Sequence, residues 1–149
     1  MAVNVDLVGK AYPPQHYEVA RQKIREFASA IGDSNPAYHS PDAARELGHP
    51  DVVAPPTFGV VVTRGPQIAV IDDPQLGLDF SRVVHGDQKF KYDRPLFAGD
   101  ELSVTAHIET ARTMAGNDIL TIRSEAIDEG GSPVFTAWST LVARAAEGA

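Results

Sequence analysis

From Leu102 onward the chain alternates. Leu102, Val104, Ala106 and Ile108 fall on one side of an extended backbone, with polar residues on the other. The same period of two runs through NDILTIRSEAID and PVFTAWSTLVAR. The segments between them, MAGND and EGGS, have the composition of turns. RVVHGDQKFKYDRP, from Arg82, reads as a further strand, and residues 72–81 as a loop. Phe135 and Trp138 fall on opposite faces of the last strand, so at least one belongs to the core.

The first half has a different period. In HYEVARQKIREFASAIGD, from His16, the residues Ala20, Ile24, Phe27, Ala28 and Ile31 recur at helical spacing, and Gly32 follows where a helix commonly ends. PDAARELG predicts a short helix with Pro41 at its first position and Gly48 at its end. PPTFGVVVTRGPQIAVID predicts a helix that is apolar nearly all round and therefore buried on most sides, with a kink or break at Gly65–Pro66. The opening VDLVGKAYPP is strand-like as far as Pro13 and Pro14. Helices first and turn-linked strands afterwards predict an α+β domain, an antiparallel sheet packed on one long helix. A single domain over residues 1–149 fits the length.

Composition narrows the chemistry. There is no cysteine, which removes disulfides, thiolate metal sites and cysteine nucleophiles. His16, His49 and His107 lack metal-ligand spacing, so no metal is expected. The net charge of −7 opposes nucleic-acid binding, and no membrane span or secretory leader is expected, so a cytoplasmic location is the default. Arg82, Lys89, Lys91 and Arg94 form a local basic group, either a solvated strand face or a contact for phosphates or an acidic carrier.

The stretch AIGDSNPAYHS admits two readings. In one, Gly32 ends a helix, Asp33 and Asn35 make side-chain turns, Pro36 stiffens the loop and a second helix follows. In the other, Asp33 and His39 face one cavity, where a carboxylate and an imidazole can add water to an activated double bond or remove it from a 3-hydroxyacyl compound.

The order Gly-Asp-x-Asn-Pro followed by His resembles the MaoC-like enoyl hydratases. The string His85-Gly86-Asp87-Gln88 and the following RPLFAGDEL resemble the FAS1-like half of paired dehydratases, of UPF0336 type. That group includes the substrate-binding subunit of mycobacterial-type heterodimeric hydroxyacyl-ACP dehydratases. The resemblance implies a hot-dog fold, a long central helix wrapped by an antiparallel sheet. It implies dehydration of (3R)-hydroxyacyl thioesters, or the reverse hydration, with no cofactor beyond the CoA or phosphopantetheine of the substrate. It assigns Asp33 and His39 as the catalytic pair, and Asn35, Pro56, Thr57, Phe58, His85, Gly86 and Gln88 to substrate binding. The chain departs from the family at two places. Two residues, Ala37 and Tyr38, separate Pro36 from His39 where the family has one. Pro56, which has no N–H, stands where a family glycine amide binds the thioester oxygen. Two roles stay open: a self-sufficient hydratase, or a non-catalytic subunit that holds the acyl chain beside a MaoC-type partner. A hot-dog thioesterase is a more distant third. Pairing as a homodimer or heterodimer is expected, because one such unit leaves a sheet edge open.

Overall fold

The computed structural model describes residues 2–146; Met1 and residues 147–149, at the two ends of the expected domain, lie outside the described residues. The elements are β1 (Gln15–Glu18), α1 (Arg21–Ala30), α2 (Pro41–Glu46), α3 (Gly59–Ile71), β2 (Val83–Tyr92), β3 (Glu101–Met114), β4 (Asn117–Ile127) and β5 (Pro133–Ala143). The strands form one antiparallel sheet in the order β1-β3-β4-β5-β2. The alternation sets its two faces. Leu102, Val104, Ala106 and Ile108 are buried on the inner face, as are Leu120, Ile122, Phe135 and Leu141. Trp138 lies on the outer face, with Lys89 stacked over its ring. Helix α3 crosses the inner face and touches β1, β3, β4 and β5. One helix laid against the inner face of one antiparallel sheet is a hot-dog fold, α+β.

Three local expectations are corrected. The first is the helix from His16. Gln15–Glu18 is instead a strand, paired with Glu101–Val104, and the helix begins at Arg21. Ala20 is still extended, and the helical apolar period is satisfied only from Ile24 on. The second is the strand-like opening. Val5–Leu7 is a short 3-10 turn, because the Asn4 side chain accepts from the Asp6 N–H and draws the chain into a turn. Only Ala11 makes a strand-type bridge there, to His107. The third is α3 itself. It runs unbroken through Pro66, because Val62, Pro66 and Val70 all face the sheet and packing holds both turns in line. It is also less enclosed than its composition suggests: Val60 and Ile68 are exposed beside Arg64.

The end of α3 is tied to the N-terminal segment through Asp73. Its carboxylate accepts from Lys10 Nζ at 2.6 Å, the Tyr12 hydroxyl at 2.7 Å and the Gln75 N–H at 2.9 Å. These donors, Lys10 foremost, hold the Asp73 carboxyl down at about 2 from an ordinary 3.8. Burial, with the Asp73 charge beside it, pushes the Tyr12 phenol up. A depressed carboxyl pKa stabilises the fold above its unfolded value and stops doing so once the folded-state group is protonated. Asp73→Ala should therefore cost about 1–3 kcal/mol near neutral pH, because it strands the buried Tyr12 hydroxyl and leaves the half-buried Lys10 ammonium unpaired. The difference from wild type in urea unfolding should shrink as pH falls from 3.8 through about 2.

Candidate functional site

The loop after α1 is built from backbone-directed side chains. Gly32 adopts φ +72, and the Asp33 N–H returns to the Ala28 carbonyl at 2.8 Å, which ends α1. Asp33 Oδ1 accepts from the Asn35 N–H, and Asn35 Oδ1 from the Ala37 N–H, each at 3.0 Å. A 3-10 turn, Pro36–Tyr38, follows, and Ser40 Oγ caps α2. His39 Nε2 lies 3.1 Å from the backbone carbonyl of Asp33, and the His39 carbonyl accepts from Arg25. The imidazole thus meets the main chain of Asp33, while the carboxylate serves a turn.

Two cavities lie close by. The first, about 490 Å³, is framed by Asn35 and Tyr38 of this loop, by His49 and Val53 to Pro56, and by Tyr92 to Leu96 at and after the end of β2. Neither Asp33 nor His39 lines it. Burial pushes the Tyr38 phenol up, and the Asp33 charge adds to that. His49 stacks at a tilt on Phe97, 5.5 Å between ring centres. At the cavity's inner end the N-terminus of α3 is already occupied. The Tyr92 hydroxyl donates to the Pro56 carbonyl at 2.6 Å. It also lies beside the first residue of the helix, 3.0 Å from where a Cβ on Gly59 would be. Burial pushes the Tyr92 phenol up, partly offset by the Gly59 N–H. The Phe58 N–H is spent on Pro55 O, and the Thr57 carbonyl accepts from Val60.

The second cavity, about 680 Å³, is a groove between the open face of α3 and the inner face of β2. His85 and Gln88 both line it. Their spacing would put them on opposite faces of a regular strand. A bulge between His85 and Asp87, with Gly86 as the extra residue, returns both to the inner face, opposite Leu141 and Ser139. Phe58, by contrast, is core and fully buried, and Thr57 is exposed. The substrate-binding residues expected from sequence therefore divide: Asn35 and Pro56 go to the first cavity, His85 and Gln88 to the second. The local basic group is largely engaged. Arg94 makes two bonds to Asp100, Arg82 pairs with Asp79, and Lys89 stacks on Trp138.

Tyr92 and Gln67 line these cavities, and Ser139 lies behind the second, bonded to Gln67 and Gln88, without belonging to any motif. Their signal was positional. Tyr92 shares the inner parity of β2 with Phe90, Ser139 is a polar residue on the apolar face of β5, and Gln67 interrupts an apolar helix. Among the described residues, no group of His, Asp or Glu is placed to hold a metal ion, and no helix is long and apolar enough to cross a membrane.

Residues 6–137 match the family model of the FAS1-like dehydratase domain region. The chain belongs to that family. A UPF0336 protein of Streptomyces coelicolor is 63% identical over 148 residues, covering 99% of each chain. Among solved structures, this FAS1-like chain is similar to the HadBC (3R)-hydroxyacyl-ACP dehydratase complex of Mycobacterium tuberculosis. The TM-score is 0.84 at 31% identity, over 92% of this chain and 97% of that one. It is also similar to a MaoC-like dehydratase, with a TM-score of 0.85 at 32% identity, over 95% of this chain and 43% of that one.

Proposed function

We propose that this chain is the acyl-chain-holding subunit of a cytoplasmic (3R)-hydroxyacyl-thioester dehydratase, and that a MaoC-type partner supplies the catalytic Asp and His. One observation carries this reading: the Asp33 carboxylate and the His39 imidazole line neither of the two cavities, and the ring meets a backbone carbonyl and the carboxylate an amide of its own turn. A base and an acid must face one common site to hydrate a double bond together. The α3 N-terminus points the same way. Pro56 has no N–H to offer, and the Tyr92 hydroxyl crowds the Gly59 amide, where a thioester oxygen would need a free donor.

What remains is a binding scaffold. The groove along α3 has an apolar wall of Val60, Ile68 and Leu141 that suits a hydrocarbon chain carried on CoA or on a carrier protein. Strand β2 pairs with β5 along one side only, so its other edge is open to a partner. Val60, Ile68, Phe80 and Val84 stand exposed nearby. The similarity to HadBC, itself a complex, supports pairing with a second hot-dog subunit.

The test is a pair of substitutions in the reconstituted complex. Asp33→Asn and His39→Ala should each leave turnover within about threefold of wild type. Loss of a working general acid or base costs about 10²–10⁴-fold. A loss of that size from either substitution would return the catalytic pair to this chain and make it a hydratase in its own right.

A further inference from the structure

The groove between α3 and β2 has a polar floor whose hydrogen-bond directions can be worked out from one fixed point. The Gly59 carbonyl can only accept, so the Thr63 hydroxyl donates to it, at 2.9 Å. With its proton spent, Thr63 Oγ1 accepts from Gln67 Nε2 at 3.2 Å. The same amide nitrogen donates to Ser139 Oγ at 2.8 Å. The Ser139 hydroxyl then has its own proton for Gln88 Oε1. Thr63 and Ser139 are both fully buried, so neither can turn to water instead. Each step leaves one assignment for the next, and the orientation of both glutamine amides follows.

The atoms left over are Gln67 Oε1, an acceptor, and Gln88 Nε2, a donor. Neither has a partner among the described residues, and both side chains line the groove. An alkyl chain laid across them would take water from both and return nothing. A hydroxyl placed between them would satisfy both, accepting from Gln88 and donating to Gln67. A keto oxygen can satisfy only Gln88.

We infer that the α3–β2 groove holds acyl chains that carry a hydroxyl along the chain, read by Gln67 and Gln88 and fixed by Ser139. This rests on the acyl-holding role proposed above. The hydroxyl is a second one, distinct from the 3-hydroxyl that the partner's catalytic pair would remove. The substrate class is thus a hydroxylated acyl thioester rather than a simple saturated one. The reaction that supplies it must leave an oxygen on the chain beyond the reacting carbons.

The experiment is titration calorimetry of the purified chain, and of its complex with the catalytic subunit, against dodecanoyl-CoA and its isomers with one hydroxyl at successive positions from C6 outward. At least one isomer should bind about tenfold or more tighter than the unsubstituted thioester, the size expected of one satisfied polar pair. The matching keto isomer should fall between them. Gln88→Leu, at an exposed strand-edge position, should erase the preference among the isomers. Ser139→Ala, which unties both amides, should reduce it. Equal binding of every isomer and the unsubstituted thioester would overturn the inference and leave the acyl-holding role intact. So would a preference that survives Gln88→Leu. Failure of both the chain and the complex to bind any acyl-CoA would overturn the acyl-holding role together with it.

Discussion

Phe58→Ala should lower the unfolding free energy by about 3–5 kcal/mol, the cost of emptying a large aromatic site in a core. Phe58 is fully buried immediately before α3. Its ring takes the edge of Phe27 at 5.5 Å and of Tyr17 at 6.5 Å between centres. It therefore joins the start of α3, the body of α1 and strand β1. Such aromatic pairs add about 0.5–1.5 kcal/mol beyond the area they bury. A domain of this size should lose about 6–20 °C in Tm. The neighbouring Thr57→Ala, at an exposed position, should stay within about 0.5 kcal/mol of wild type. Thermal unfolding of the two variants side by side separates packing at Phe58 from any general effect on the turn. A Phe58→Ala loss no larger than that of Thr57→Ala would mean that α1 is not docked through this ring.

Gly59→Ala is the second large effect, and its sign is informative. Alanine is the better helix former by about 1 kcal/mol, so on propensity alone the change should stabilise. A Cβ at this position would lie 2.8 Å from Phe90 Cε1 and 3.0 Å from Tyr92 Oη. Both rings come from the inner face of β2 and stack on one another at 5.9 Å. Overpacking of this kind costs about 1–3 kcal/mol, so a net loss is expected. Phe90→Leu should relieve part of it. The double variant should then show a coupling of about 0.5–3 kcal/mol between the two positions. Stabilisation by Gly59→Ala would mean that β2 stands off from the α3 N-terminus, and the occupation of that terminus by Tyr92 would go with it.

Much of this architecture was legible in the residues. The alternation in β3, β4 and β5 gave the inner face correctly, because a sheet with one buried face imposes a strict period of two. The short helix from Pro41 was readable from its proline start and its glycine end. The failures have physical causes. Gln15–Glu18 has too few residues to show a period, and only its pairing with β3, more than 80 positions later with Glu18 opposite Glu101, makes it a strand. Pro66 looked like a break because local rules do not include the sheet that holds the helix straight. In the candidate site, residues of GDSNPAYHS and DVVAPPTF line the first cavity and residues of HGDQ the second. The resemblance did not find the bulge at Gly86 that puts His85 and Gln88 side by side, nor the Tyr92 hydroxyl on the Pro56 carbonyl. Both depend on how β2 lies against β5 and α3, a long-range register that no local motif carries.

The most direct measurement is the hydration rate of an enoyl-CoA by the purified, folded chain alone, and then by the same chain mixed with a catalytic MaoC-type subunit. The expected result is no turnover above background alone and robust turnover in the mixture. Turnover by the chain alone that disappears in both Asp33→Asn and His39→Ala would contradict the assignment of the catalytic pair to a partner.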